Sequence, residues 1–231
     1  MNIAIIPARG GSKRIKLKNI KEFKKKPIIF WTINKLKQSK IFDLLVLTSD
    51  HQNTLNLGKK YGCDILLKRE KKLSNDKIPT IHVIQDAIKK LKNYIEIDKA
   101  NVCCVYPCNP LLLIKDLKKG FNLQKKNKSK FIIAVSEYNH PIEKTFSMDK
   151  NNKINRNKRN IFSSSKDYKN TFFENGQFCF GYSKQWLKSK NVFQNTLGIK
   201  IPSWRVSDID NIIDWKKAEV IFETLRNNNE I

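Results

Sequence analysis

Asn2-Ile3-Ala4-Ile5-Ile6-Pro7-Ala8-Arg9-Gly10-Gly11-Ser12-Lys13-Arg14 opens the chain with a short apolar run that leads directly into a Gly-Gly turn crowded with cations. The run has the length and composition of a buried strand. In the turn, Gly10 and Gly11 are free to take positive φ and to bring backbone N–H groups close to an anion. Ser12 adds a hydroxyl, and Arg9, Lys13, Arg14 and Lys18 add positive charge. A strand that ends this way is suited to holding several phosphates. An ordinary tight turn on a basic surface is the alternative. The adjacent glycines do not continue as GxxxxGK[ST], which argues against a Walker-type ATPase or GTPase, and they do not form GxGxxG, which argues against a dinucleotide site.

Downstream of this turn, periods of two and of 3.6 residues alternate. Residues 26–40 place Ile28, Ile29, Ile33 and Leu36 on one helical face, and Phe42 to Thr48 is a second apolar strand ending at Ser49-Asp50. A helix over 51–61 stops at Tyr61-Gly62, and Cys63 to Leu67 is a third strand. Thr80 to Leu91 carries Ile81, Ile84, Ile88 and Leu91 at helical spacing; Pro79 marks its start, and Asp76 can offer a carboxylate to that end. Val102 to Tyr106 is a fourth strand that stops at Pro107-Cys108-Asn109-Pro110. A helix over 115–126 and a strand over Phe131 to Val135 follow. This alternation predicts an α/β fold, a mostly parallel sheet flanked by helices on both faces. Ligands collect beyond the carboxyl ends of parallel strands, and those ends here carry Arg9, Ser49-Asp50, Arg69 and Tyr106 to Asn109.

The pattern then changes. Residues 137–170 are rich in Asn and Ser with little periodicity, which reads as an excursion within a single domain spanning 1–231. Phe172 to Gly181 returns to strand and contains Glu174-Asn175-Gly176-Gln177. A last helix over Ile213 to Leu225 carries Trp215, Ala218, Ile221, Phe222 and Leu225 as a core stripe. Just before it lies Asp208-Ile209-Asp210. In extended backbone the two carboxylates share a face and can approach one hard cation, while Ile209 turns into the core. Capping of the last helix by Asp210 or Asp214 is the alternative. A phosphate cradle and a metal-binding carboxylate pair in one chain fit a polyphosphate substrate and nucleotidyl transfer.

The net charge of +25 raises the question of nucleic acid, but of 46 basic residues 39 are Lys and are spread along the whole chain. A diagnostic footprint is clustered and carries stacking aromatics, so a solvated lysine surface is the expectation and a nucleic-acid-binding module the remote alternative. The cysteines Cys63, Cys103, Cys104, Cys108 and Cys179 form no paired framework and no metal-ligand spacing, which implies reduced thiols in a cytoplasmic protein. No apolar stretch is long enough for a membrane span, so no membrane partner is expected. His51, His82 and His140 offer no catalytic pattern.

Pro7 to Asn19, together with Ser49-Asp50, Arg69 with Leu73 and Asp76, Tyr106 to Pro110, Asn175 to Phe178, and Val206 to Asp210 with Asp214-Trp215, resembles the bacterial CMP-sugar-acid synthetases, the cytidylyltransferases that activate sialic and related nonulosonic acids. The motifs run in family order over nearly the whole chain, and the pseudaminic acid branch is the most similar. The resemblance implies a Rossmann-like fold of the nucleotide-diphospho-sugar transferase type, CTP as co-substrate, Mg2+, and a homodimer formed through an inserted arm at 137–170. Ala8, Arg9, Gly10, Gly11, Ser12, Lys13, Lys18 and Asn19 would then hold the nucleotide with Arg69 and Thr80, and Arg9, Lys18, Asp208 and Asp210 would form the catalytic set. Asp208 and Asp210 would bind the metal. Tyr106, Cys108, Asn109, Asn175, Gly176 and Gln177 would face the sugar acid, and Lys144, Arg156 or Lys158 would approach a neighbouring subunit. Sialic, legionaminic and octulosonic acid synthetases share the phosphate motifs and remain alternatives. Three positions depart from the pattern: Cys108 where Thr is common, Ser207 where Gln is frequent, and Leu112 where Arg is frequent and where steering of the acidic sugar would change.

Overall fold

The computed structural model describes residues 1–156 and 169–231. Among the described residues eleven strands occur in chain order: β1 (Asn2–Pro7), β2 (Glu22–Phe23), β3 (Lys26–Pro27), β4 (Leu44–Ser49), β5 (Ile65–Lys68), β6 (Asn101–Val105), β7 (Phe131–Glu137), β8 (Phe146–Met148), β9 (Ile154–Arg156), β10 (Phe172–Tyr182) and β11 (Thr196–Lys200). The helices are α1 (Ile28–Ser39), α2 (Gln52–Tyr61), α3 (Thr80–Leu91), α4 (Ile114–Lys126), α5 (Ser183–Lys188) and α6 (Ile212–Asn227). Seven strands form one sheet in the order β11-β7-β10-β6-β1-β4-β5. The pairs β1–β4, β1–β6, β4–β5 and β7–β11 are parallel, and β10 runs antiparallel between β6 and β7.

Alternation along the central strands sends neighbouring side chains to opposite faces. Ala4, Ile6 and Cys103 join the cluster that packs α1 and α4, and Ile3, Ile5 and Cys104 join the cluster beneath α3. Every stripe residue of α3 is buried: Ile81, Ile84, Ile88 and Leu91. The stripe of α6 is core as well, with Trp215 and Phe222 each packed edge-on against Phe23 of the small β2–β3 hairpin. Lys26 and Pro27, placed by sequence pattern at the start of the first helix, pair as β3 instead, because Lys24 and Lys25 take positive φ and turn the chain back.

Residues 138–156 leave the sheet by way of a 3-10 turn at Ile142–Lys144 and the β8–β9 ribbon. Residues 157–168 of the expected arm, Lys158 included, lie outside the described residues. No helix among the described residues is long and apolar enough to cross a membrane.

Candidate active site

The parallel strands β1, β4, β5 and β6 all end on one edge of the sheet, which brings Arg9, Asp50, Arg69 and Tyr106 together. β10 reaches the same edge from the opposite direction. Its Phe178 pairs with Val105 at the end of β6, so Glu174 to Gln177 project past the sheet beside the loop that follows β6. A register shift between Glu174 and Cys179 and a positive φ of 68° at Gly176 mark a bulge there. Bulges re-aim side chains at sheet edges. A Cβ at Gly176 would stand 3.6 Å from the Asp208 carboxyl carbon, so the bulge lays the backbone of β10 against the aspartate pair.

These loops enclose a cavity of about 400 Å³. One wall is cationic and comes from the β1 turn, with Arg9, Ser12, Lys18 and Asn19. Arg69 adds a guanidinium that is 3% exposed, and its Nε and Nη2 have no hydrogen-bond partner among the described residues. Burial lowers its pKa and the Asp50 carboxylate, 3.8 Å from Nη2, opposes that shift. A guanidinium withdrawn from water beside a cavity, with N–H groups that lack partners, is suited to receive an anion or carbonyl. Tyr106, Cys108, Asn109, Asn175 and Gly176 also line the cavity, with Asp208 and Asp210. Thr80, at the first turn of α3, also faces the cavity.

Five predicted residues, Ala8, Gly10, Gly11, Lys13 and Gln177, are not among those that line the cavity. Ala8 is fully buried, and its N–H donates to the Thr48 carbonyl at 3.0 Å. Neither Gly10 nor Gly11 takes positive φ. Gly10 is required by packing, since a Cβ there would lie 2.7 Å from the His51 Cβ, and its N–H is taken by Asp50 Oδ1 at 2.9 Å. Lys13 is 83% exposed and pairs with Asp76, which lines the cavity. Gln177 is 3% exposed beneath the cavity, where its carbonyl accepts from Asn109 Nδ2 at 3.3 Å. Leu112 is fully buried in the same core cluster as Leu117, so the position where the resemblance led Arg to be expected is a packing site here.

Several cavity residues also build the frame. Asn19 donates from Nδ2 to the Arg9 carbonyl at 2.7 Å and accepts from Cys108 Sγ at 3.0 Å, which ties the β1 turn to the β6 turn. Thr32 of α1 donates to the Pro107 carbonyl and accepts from the Asn109 N–H. Asn175 donates to Ser136 Oγ at 3.0 Å and accepts from the Gln177 N–H at 3.3 Å, which fixes the bulge. The Cys108 thiol is pushed up to about 12 by burial, with Lys18 pulling the other way, so it acts as a neutral donor.

Carboxylates balance the cations of the turn. Asp76 accepts from both Arg9 and Lys13, where the sequence suggested an approach to the start of α3; that helix begins after Pro79 with no side-chain cap. Asp210 pairs with Arg14 at 2.8 Å and lies 3.8 Å from Lys18. The cap of α6 is supplied by Asn211 and Asp214, which leaves Asp208 and Asp210 to the cavity. Ile209 is 1% exposed, as the extended backbone requires. Burial raises the Asp208 carboxyl, and Asp210 adds to that through like charge. Such a pair is relieved by a cation. Among the described residues no group of three or more His, Cys, Asp or Glu could hold a metal, so Asp208 and Asp210 would supply two ligands. That number suits magnesium, which takes one or two carboxylates and fills its remaining positions from phosphates and water.

A family model described as cytidylyltransferase matches residues 3–224. The chain belongs to the cytidylyltransferase family. This cytidylyltransferase is 37% identical over 224 residues to the pseudaminic acid cytidylyltransferase of Campylobacter jejuni, with 96% of each chain covered. It is 26% identical to a CMP-N,N'-diacetyllegionaminic acid synthase of the same species, over 95% of this chain and 94% of the relative. Its fold matches CMP:2-keto-3-deoxy-manno-octonic acid synthetase complexed with CTP at a TM-score of 0.71 and 12% identity, covering 96% of this chain and 98% of that one. Of the residues that line the cavity, sequence reading gave no role to Glu174 and Asn75, and gave none at this site to Asp76 and Ser207. Glu174 had a signal in its adjacency to Asn175-Gly176. The approach of Asp76 to Arg9 crosses 67 residues and has no local signature.

Proposed function

We propose that this cytidylyltransferase is a CMP-pseudaminic acid synthetase: the anomeric hydroxyl of the sugar acid attacks the α-phosphorus of CTP, giving the CMP-sugar and pyrophosphate. The observation that carries the reading is a single cavity lined both by cations and by a carboxylate pair, in a chain 37% identical over 96% of its length to a pseudaminic acid cytidylyltransferase.

Arg9, Ser12 and Lys18 would orient the triphosphate, and Arg69 with Thr80 would hold the nucleoside end. Asp208 and Asp210 would bind magnesium, which when present neutralises charge developing on the pyrophosphate leaving group. Pyrophosphate is a competent leaving group, so no protein nucleophile is needed, and positioning and electrostatics supply the rate. Tyr106, Cys108, Asn109, Asn175 and Gly176 would face the sugar acid. The exposed apolar residues Phe146, Met148 and Ile154 on the β8–β9 ribbon support a homodimer formed through the 137–170 arm.

The test is pyrophosphate release from CTP and magnesium with a panel of sugar acids. Pseudaminic acid is expected to give the highest kcat/KM. A preference for a sialic, legionaminic or octulosonic acid would replace the branch, and no turnover with any of them would remove the synthetase reading. Asp208→Asn is expected to lower kcat by about 10²- to 10³-fold.

A further inference from the structure

Glu174 is the acidic member of the β10 bulge. It is the last residue in register with Val135 of β7 before the pairing shifts, and it lines the cavity. Tyr106 Oη donates to its Oε1 at 3.3 Å. Burial raises its pKa, the Tyr106 hydrogen bond pulls the other way, Asp208 adds to the rise through like charge, and no cation among the described residues offsets it. A carboxyl withdrawn from water without a cation costs stability unless donors satisfy it. A carboxylate offers about four acceptor positions, and the Tyr106 phenol takes one.

Glu174 lines the substrate space. Phosphates and the carboxylate of an acidic sugar are repelled by Glu174 and drawn to Arg9, Lys18 and Arg69, which line the same cavity. What suits Glu174 is a donor without charge. We propose that Glu174, held in place by Tyr106, accepts a hydrogen bond from an uncharged N–H or O–H group of the sugar acid and so sets which way round that substrate lies. The inference rests on the sugar-acid synthetase reading and adds a substrate-binding residue to it.

Steady-state kinetics of E174A, the isosteric E174Q and Y106F against wild type, with sugar acid and CTP varied separately, test the proposal. In E174A the KM for the sugar acid is expected to rise roughly 10- to 100-fold, the range for a lost hydrogen bond to a charged group, while the KM for CTP stays within about twofold. Y106F should give a smaller rise in the same KM. Sugar acids that each lack one hydroxyl or acylamino group identify the donor. One such analogue should be penalised with wild type and not with E174A, as coupling between two contacting groups requires. An unchanged sugar KM in E174A, an equal rise in both KM values, or the same penalty for every analogue would overturn the proposal. If E174A does not fold, E174M removes the carboxylate acceptor without leaving a cavity and reads the same coupling, while E174Q keeps one carbonyl acceptor and should lose less. Wild-type turnover in the same assay reports separately on the parent reading: no turnover by wild type sinks the synthetase assignment, whereas turnover with an indifferent Glu174 sinks only this residue's role.

Discussion

At the scale of single residues, the site is a set of charges that already neutralise one another. Asp76 holds Arg9 and Lys13, and Asp210 holds Arg14 and stands near Lys18, so an arriving triphosphate competes with carboxylates for the same cations. Hydrogen bonds from Lys13 and then Arg9 keep the Asp76 carboxyl below its ordinary range, so it is ionised wherever the enzyme would work. Asp76 and Lys13 are both well exposed, and exposed pairs are weak and screened by salt. D76N should therefore lower the KM for CTP by about two- to fivefold at low ionic strength, with kcat little changed, and the difference should shrink in high salt. A KM that rises instead would mean that Asp76 orients Arg9 with nucleotide bound. Arg69 is the contrasting case: its buried guanidinium has no comparable competitor, because Asp50 stands 3.8 Å away and is itself occupied by the Gly10 N–H.

At the scale of elements, the loop that carries the aspartates is anchored at both ends. Upstream, Arg205 and Asp116 form a buried ion pair at 2.6 Å, tying the residue before Val206 to α4. Downstream, Asn211 Oδ1 accepts from the Ile213 and Asp214 N–H groups, and Asp214 Oδ2 accepts from the N–H groups of Asp210 and Asn211. This reciprocal cap stabilises α6 and restrains Asp210 together. N211A is expected to cost about 1 kcal/mol in urea unfolding, and N211D to retain most of it. The same elements show what sequence can reveal. α3 spans Thr80–Leu91 as its apolar spacing dictates, because a strong periodic stripe flanked by Pro and a charged turn leaves little choice. β11 left no such trace. It is a half-exposed edge strand with Gly198 in its middle, where a Cβ would lie 2.9 Å from Val135, so close approach to β7 rather than alternation selects its residues. The β10 strand was legible and its bulge was not, since the shift depends on pairing with β7, which lies some forty residues earlier. Hence Asn175 and Gly176 were found through motif resemblance, whereas Glu174 needed the structure.

For the whole molecule the dominant physical fact is a net charge of +25. Protonating the 21 acidic residues would carry the chain toward the charge of its 46 Lys and Arg, with self-repulsion rising as the pH falls. Specific pairs act in the same direction. Hydrogen bonds and charge from lysine partners hold Glu70, Asp98, Glu223 and Glu230 below their ordinary range, as Lys13 and Arg9 do for Asp76. A carboxyl whose folded pKa is depressed contributes stability that is fully present above its unfolded value and is lost as the pH drops through the folded value. Asp208 and Glu174 have raised values and oppose this, gaining from protonation. Stability should therefore hold above the ordinary carboxylate range of about pH 4 and fall steeply below it. Because both the general repulsion and the exposed pairs are Coulombic, salt separates them. Screening relieves self-repulsion and restores stability at low pH, whereas near neutrality it weakens the pairs. Thermal unfolding at pH 3 and pH 7 across ionic strength should show Tm rising with salt at the lower pH. At pH 7 the response reports which term is larger: a rise there too would make repulsion among the dispersed lysines the controlling term, and a fall would give that place to the ion pairs.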